Sequence, residues 1–160
     1  MPRKNKKLPR HLLVIRTSAM GDVAMLPHAL RALKEAYPEV KVTVATKSLF
    51  HPFFEGVDVG FLDIETRRTH RGIRGAIRFA REAAELKIDA VADMHNVLRS
   101  KMVRAALHLR EIPVSVIHKG RIEKYMRLGR GSEGVKPLKH TVIRYCDVFR
   151  RLGFDFPDPR

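Results

Sequence analysis

Asp22 lies in a turn of small residues between a predicted buried strand and the helix that follows it. The turn is Thr17–Asp22, and it comes directly after the apolar run Leu12–Ile15. Backbone N–H groups at a helix start can hold an anion, and a carboxylate there can take a proton from a substrate hydroxyl. The same carboxylate could instead cap the helix, because Asp is a preferred capping residue. Spacing alone favours the cap, and the turn matches neither the P-loop nor the Gly-x-Gly-x-x-Gly fingerprint.

His95 and Asn96 form a second polar group, directly after the predicted strand Ala90–Met94. Their side chains could hydrogen-bond the hydroxyls of a polyol. The simpler interpretation is that Asp93 and Asn96 satisfy backbone groups of the loop and of the next helix. The sequence leaves both interpretations open at this point.

Arg67, Arg68 and Arg71 form a basic cluster after the third predicted strand, with no local acid beyond Glu65. Guanidinium groups bind carboxylate or phosphate bidentately, so these three arginines are candidate ligands of an anion. The helix that follows carries further arginines at helical spacing, Arg74, Arg78 and Arg81. Its glutamates fall at i,i+4 spacing from two of them, so this face is interpreted as a solvated surface.

Arg121 and Lys124 lie in a glycine-containing stretch after the fifth predicted strand, within residues 118–139. They could hold an anion at the edge where that strand ends. A flexible basic loop without a ligand explains the same residues equally well, and long loops of this kind tend to be functional or mobile.

The composition indicates a single globular domain with an anionic partner. The chain has 160 residues, 44% of them hydrophobic, and a formal net charge of +15. Its one cysteine, Cys146, excludes an internal disulfide framework and a thiolate zinc site, and it is typical of a reducing compartment. The charge suggests nucleic acid, acidic lipid headgroups or phosphorylated sugars. No apolar segment approaches the length of about 18 residues that a membrane-spanning helix needs.

Strands and helices alternate along the chain, which predicts an open, mostly parallel, doubly wound α/β sheet with helices on both faces. The predicted strands are Leu12–Ile15, Val42–Ala45, Val59–Ile64, Ala90–Met94 and Pro113–Ile117. A helix over Gly72–Leu86 is expected to bury Ile73, Ile77, Ala80 and Ala84. Ligands of such sheets bind at the carboxyl ends of the strands, where the strand order reverses.

Several motifs resemble the lipopolysaccharide heptosyltransferases of glycosyltransferase family nine. The segment Leu13–Val23, followed by Pro27, Leu30 and Leu33, resembles the opening of that family. The segment Asp89–Ser100 resembles its second block, although the family usually reads Asp-x-Gln-Gly where this chain has Asp93-Met94-His95-Asn96. The arginine cluster is similar to the family's basic loop, and Lys136–Tyr145 is similar to the segment that leads to its interdomain linker.

The resemblance implies the N-terminal, acceptor-binding half of a GT-B fold, with a Rossmann-like sheet. It implies transfer from a nucleotide sugar with inversion, without a metal or other cofactor, and with Asp22 as the base. The acceptor, an anionic glycolipid like the lipopolysaccharide core, would contact Ser18, Met20, Gly21, Arg67, Arg68, Arg71, His95, Asn96, Arg121 and Lys124.

The resemblance also implies a division of the chain into three parts. These are a basic N-terminal arm at 1–10, the acceptor-binding domain at 11–153 and the start of an interdomain linker at 154–160. The donor-binding domain is then absent, so this chain alone is expected to have no transferase activity. The expected location is the cytoplasm, with peripheral contact at the inner face of the cytoplasmic membrane, to which the basic arm could add attraction for acidic lipids.

Two other functions are weighed against this one. A basic nucleic-acid-binding α/β domain suits the net charge of +15, although no reading motif is present. A receiver-like module would use a cluster of acids at the same sheet edge, with Asp22 and Asp93 as two of them. A binding requirement for Mg²⁺ would favour the receiver, and salt-sensitive binding to one particular nucleic-acid sequence would favour the first alternative.

Overall fold

The structure is a computed structural model that describes residues 7–65, 68–96, 111–118 and 139–159. Five strands and three helices make up these parts, together with one short 3-10 helix at Ser48–Phe54. The strands are β1 (His11–Ile15), β2 (Lys41–Thr46), β3 (Gly60–Asp63), β4 (Ala90–Asp93) and β5 (Val114–Val116). The helices are α1 (Met20–Ala36), α2 (Gly72–Glu85) and α3 (Thr141–Arg151).

The five strands form one all-parallel sheet in the order β3-β2-β1-β4-β5. Strand β1 is central, and all five of its residues are buried because it is covered on both faces. The chain runs outward from β1 to β3 and then returns to β4 on the other side of β1. The strand order therefore reverses between β1 and β4, which is the place where such sheets bind ligands. The expected α/β doubly wound fold is confirmed.

The two faces of the sheet have separate cores, because successive residues of a strand point to opposite sides. Leu12 and Val14 of β1 belong to the core on one face, to which α1, the 3-10 helix and α3 contribute. Leu13 and Ile15 belong to the core on the other face, which α2 covers. Tyr145 and Phe149 of α3 are fully buried in the first core. The sheet thus fixes the ends of its strands between two layers of helices.

Helix α2 buries a different stripe from the one expected. Its buried residues are Gly75, Ala76, Phe79, Ala80 and Ala83. Ile73 and Ile77 are instead 66% and 48% exposed. The helix lies on the sheet through small side chains and one large ring, that of Phe79. The buried side is rotated about a quarter of a turn from the predicted stripe. The arginines of this helix are exposed, as the sequence predicted.

The folded unit extends past the boundary expected at residue 153. Helix α3 ends at Arg151, with Gly153 in the positive-φ conformation that follows a helix C-terminus. Phe154 and Phe156, however, are almost fully buried in the core beside α1 and α3. The backbone N–H of Asp155 also donates to the Tyr37 hydroxyl oxygen. Residues 154–156 are therefore part of the domain rather than a linker.

The predicted arm at 1–10 joins the domain before β1 begins. The backbone N–H groups of Arg10 and His11 donate to the carboxylate of Asp89, and Pro9 is buried. Residues 1–6 lie outside the described part, as do the helix expected after Asn96 and most of the loop at 118–139. No helix within the described residues has the length and apolar character needed to cross a membrane.

Candidate functional site

The candidate site lies where β1 and β4 end side by side. Ile15 and Asp93, the last residues of the two strands, are aligned in the parallel ladder. The backbone N–H of Met94 donates to the carbonyl of Ile15, so the pairing continues one residue beyond the strands. The turn before α1 and the turn after β4 are therefore fixed next to each other.

Arg16 connects these two turns through its side chain. Its guanidinium donates from Nη1 to the backbone carbonyl of Met94 and from Nη2 to Oδ2 of Asp22. The Arg16 side chain is only 8% exposed, whereas that of Asp22 is 43% exposed. A buried guanidinium is costly unless it is paired, so this contact holds the Asp22 carboxylate at the sheet edge. No hydrogen bond from any described residue reaches the second carboxylate oxygen, Oδ1.

Asp22 does not cap α1, so the interpretation that spacing favoured is wrong. The helix begins at Met20, its N-cap residue is Ala19, and no side chain makes a capping hydrogen bond there. Asp22 is the third residue of the helix, too far along to cap it. Its carboxylate instead accepts a hydrogen bond from Arg16, and the positive N-terminal end of the α1 dipole also attracts it.

Tyr145 fixes the same turn from the other side. Its hydroxyl donates to the backbone carbonyl of Asp22 at 2.9 Å, from a side chain that is completely buried. Burial raises the pKa of Tyr145 to about 12, with the nearby Asp22 carboxylate acting in the same direction and Arg16 against it. The phenol therefore stays protonated near neutral pH and keeps its hydrogen bond to the Asp22 carbonyl in α1.

Asp93 performs the backbone role that the simpler interpretation gave it. Its Oδ1 accepts from the N–H groups of His95 and Asn96, at 2.9 and 2.8 Å. Asn96 has a positive φ of 46°, and its amide donates weakly to the carbonyl of Ile117. His95 and Asn96 are half-buried, and they lie at the end of β4, next to the turn that holds Asp22.

The basic loop lies at the same carboxyl edge of the sheet, between β3 and α2 and two strands away from β1. Arg68 and Arg71 are exposed there, and the loop is fixed by His70, which is buried. The His70 Nδ1 accepts from the N–H of Glu65, and its Nε2 is 2.9 Å from the carboxylate of Glu82. Glu82 therefore pairs with His70, although its four-residue spacing from Arg78 had suggested an ion pair within α2.

Gly75 lets α2 approach this loop closely. A Cβ atom at Gly75 would be 2.1 Å from the carbonyl carbon of His70 and 2.5 Å from its Cα. In proteins, a Cβ atom is essentially never closer than 3.0 Å to a heavy atom to which it is not bonded. Only glycine fits where the backbone of the loop crosses the helix.

The structure brings only part of the predicted site together. Ser18, Met20, Gly21 and Asp22 lie at the start of α1, beside His95 and Asn96 at the end of β4. Met20 is 62% exposed, and a Cβ at Gly21 would meet nothing within 4 Å, so this surface is open. Arg68 and Arg71 follow β3, a strand that is two spacings, about 10 Å, from β1. Arg67, Arg121 and Lys124 lie outside the described residues.

Arg16 is the residue that sequence reasoning missed. A charged residue directly after a fully buried strand, six positions before a candidate carboxylate, was the available signal. Its carbonyl partner, Met94, is 78 residues away in the chain, so the sequence alone could not supply it. Within the described residues, no three His, Cys, Asp or Glu side chains are grouped so that they could hold a metal ion.

Comparison with protein-family models gives no match, and comparison with curated proteins gives none either. Solved structures do match. The glycosyl transferase of family 9 from Veillonella parvula is 19% identical, with a TM-score of 0.64 over 90% of this chain and 42% of its own. The E. coli heptosyltransferase WaaC with ADP is 23% identical, with a TM-score of 0.61 over 94% of this chain and 50% of its own.

A third structure, that of E. coli ADP-heptose lipopolysaccharide heptosyltransferase II, is 20% identical with a TM-score of 0.56, and the match covers 87% of this chain and 40% of that one. At these identities the similarity establishes the fold. The chain spans half the length of these structures or less. It therefore has the Rossmann-like fold of one half of GT-B glycosyltransferases, as the motifs implied.

Proposed function

We propose that this chain is the acceptor-binding half of an inverting, metal-independent glycosyltransferase of the heptosyltransferase kind. The observation that carries the proposal is the Asp22 carboxylate at the point where the strand order reverses: Arg16 holds one oxygen, and no described residue donates a hydrogen bond to the other. The fold similarity to heptosyltransferases gives independent support for the class of enzyme.

Asp22 acts as the general base in this proposal. Its Oδ1 takes the proton of an acceptor hydroxyl while the hydroxyl oxygen attacks the anomeric carbon of the donor sugar. The bond from that carbon to the phosphate oxygen breaks at the same time, and the nucleotide diphosphate leaves with the bonding electrons. Because attack comes from the face opposite the leaving group, the anomeric configuration inverts. Arg16 contributes by keeping Oδ2 occupied, so that only Oδ1 faces the substrate.

The acceptor in this proposal is an anionic sugar or glycolipid like the lipopolysaccharide core. Arg68 and Arg71 supply exposed guanidinium groups that suit its phosphates or carboxylates. Arg67, Arg121 and Lys124 are proposed to add to this set. Ser18, Met20 and Gly21 would contact the sugar beside the base, together with His95 and Asn96 from the end of β4.

The nucleotide-sugar donor is proposed to bind a second domain, as the resemblance implies. Transfer then needs both halves, and this chain alone is inactive. The enzyme would work in the cytoplasm at the inner face of the membrane, where a lipid-linked acceptor is reached.

The test is to measure sugar transfer by the complete two-domain enzyme with and without the substitution Asp22→Asn. We expect turnover to fall by about 10²–10⁴, because the amide cannot accept the proton. Asp58→Asn is the matched control, since Asp58 is an exposed carboxylate that pairs with Lys34 away from the candidate site, and it should leave turnover unchanged. Asp58→Asn should keep the thermal midpoint of the parent, whereas Asp22→Asn loses the ion pair with buried Arg16, so its turnover is compared below its own measured midpoint. Near-normal turnover of the folded Asp22 variant would refute the role of base.

A further inference from the structure

The outward side of α2 combines isoleucines with arginines. Ile73 and Ile77 are exposed one turn apart, and Arg81 continues their row at the same four-residue spacing. Arg74 and Arg78 form the row beside them, and both are exposed. Exposed isoleucines do not help to keep a surface soluble, and they do not pack α2 on the sheet, because the helix buries its other side.

The charge around these isoleucines is strongly positive. Five arginines line the open groove that runs along α2 and the preceding loop, against two glutamates. One of the two, Glu82, is already bound to His70. Glu85 is the remaining acid of the groove. The face therefore presents a net positive charge with apolar side chains beside it. We call it the α2 face; it consists of Arg68, Arg71, Ile73, Arg74, Ile77, Arg78 and Arg81.

We infer that the α2 face docks on the surface of an acidic lipid bilayer. Arginines attract the anionic headgroups, and apolar side chains at the level of those headgroups leave water for the acyl boundary. Both features are present on one helix that lies flat against its own sheet, so the helix axis can lie parallel to a membrane. The inference gives a surface to the peripheral contact proposed above, and it does not depend on Asp22.

A nucleic-acid duplex would use the same charge differently. Phosphates are contacted by arginines and backbone N–H groups, and a phosphate-binding surface gains nothing from two exposed isoleucines. On α2 a row of isoleucines runs beside a row of arginines on the exposed side, and apolar contact together with attraction for anionic headgroups is what holds a helix at a bilayer surface. The α2 face therefore favours a bilayer.

The orientation fits a lipid-linked acceptor. Helix α2 begins at Gly72, directly after Arg71, so its first turn lies at the sheet edge that carries the candidate site. A protein docked through α2 would hold that edge, with Arg68 and Arg71, close to the headgroups. An anionic headgroup that emerges there would meet the loop before it reaches β1.

The first experiment uses tryptophan as a probe, because the chain contains none. Ile77→Trp places the only indole on the α2 face, and Leu49→Trp places it at a site that is 65% exposed on the opposite side of the sheet. With vesicles of phosphatidylcholine and about one-third phosphatidylglycerol, we expect the emission of the Ile77 variant to shift to shorter wavelength. The emission of the Leu49 variant should not shift. Equal shifts, or none in the Ile77 variant, would overturn the inference.

The second experiment measures co-sedimentation of the 160-residue chain with the same vesicles. Arg74→Gln with Arg78→Gln should weaken partition about 25-fold, since each cation near an acidic surface contributes a factor of about five. The control is Arg31→Gln with Lys41→Gln, which removes the same charge from exposed sites outside α2 and should have little effect.

Ile73→Ser with Ile77→Ser should weaken partition about tenfold without changing the charge. Each variant is first checked for an unchanged thermal midpoint. Equal losses in the two charge variants, unchanged partition of the serine variant, or tighter binding to duplex DNA than to vesicles at the same salt would each overturn the docking role of α2. Loss of transfer in the Asp22 variant with intact vesicle binding would leave this inference standing and would separate it from the catalytic proposal.

Discussion

Replacing Gly75 by alanine tests whether the basic loop is packed on α2 as described. Gly75 is the fourth residue of α2, inside the helix, where alanine is normally the better residue by about 1 kcal/mol. Helix propensity alone therefore predicts that the variant is more stable. The geometry predicts the opposite, because the new methyl group would lie 2.1 Å from the carbonyl carbon of His70.

The clash cannot be relieved by a side-chain rotation. All three nearest atoms, at 2.1, 2.5 and 2.6 Å, belong to the backbone of His70. The loop and the helix must separate by more than about 1 Å to reach ordinary contact, and such overpacking costs about 1–3 kcal/mol or more. We expect the upper part of that range, offset by the propensity gain, and hence a net loss of about 2 kcal/mol. For a domain of this size, the thermal midpoint should fall by roughly 4–8 °C.

Gly21→Ala is the matched control for this change. Gly21 is also in the first turn of a helix, α1, but a methyl group there would meet nothing within 4 Å. Its variant should be as stable as the parent or slightly more stable. Urea unfolding gives the free energies, and limited trypsin digestion reports on the loop. Cleavage after Arg68 or Arg71 should become faster in the Gly75 variant alone. A Gly75 variant as stable as the Gly21 variant would refute the close packing of loop and helix.

Two further predictions concern buried polar groups. Burial, with the neighbouring Lys41, lowers the pKa of His11 below its ordinary value of 6.5. The unfolded chain therefore binds the proton first, and stability should fall as the pH drops through about 6.5; urea midpoints at several pH values should show a smaller fall in His11→Asn. Tyr145→Phe removes the hydrogen bond to the Asp22 carbonyl and should cost about 1 kcal/mol in urea unfolding. Alkaline absorbance titration should lose the tyrosine that ionises near pH 12; an unchanged titration would contradict its burial.

The strands were predictable because each lies in a short, largely apolar run; β1, β2 and β4 are buried almost throughout, whereas β3 at the side of the sheet is mostly exposed. The run Leu12–Ile15 corresponds to the central strand, and its burial on both sides leaves no polar alternative. The reversal of strand order followed from the alternation of strands and helices and from right-handed crossovers. What periodicity could not supply was the exact start of a helix, since α1 begins two residues before Asp22 and thereby excludes the cap.

The buried side of α2 was mispredicted because the prediction used the hydrophobicity of the side chains and ignored their size. Ile73 and Ile77 are the more hydrophobic choice, but the sheet beneath α2 accepts small residues and the ring of Phe79. Close approach at Gly75 requires that arrangement, because the loop backbone crosses the helix there. The carbonyl partner of Arg16 was beyond reach for a different reason, since Met94 is 78 residues away in the chain and meets Arg16 only when β1 and β4 pair.

His70 connects the basic loop, which is part of the proposed acceptor site, to the α2 face. It is bonded on one side to the backbone of Glu65, at the end of β3, and on the other side to Glu82 in the third turn of α2. The loop with Arg68 and Arg71 therefore cannot move far without α2, and α2 is fixed to the sheet that ends in the Asp22 turn. If α2 lies on a membrane, the loop with Arg68 and Arg71 lies near the headgroups, and the Asp22 turn follows β1, which is two strand spacings, about 10 Å, from β3.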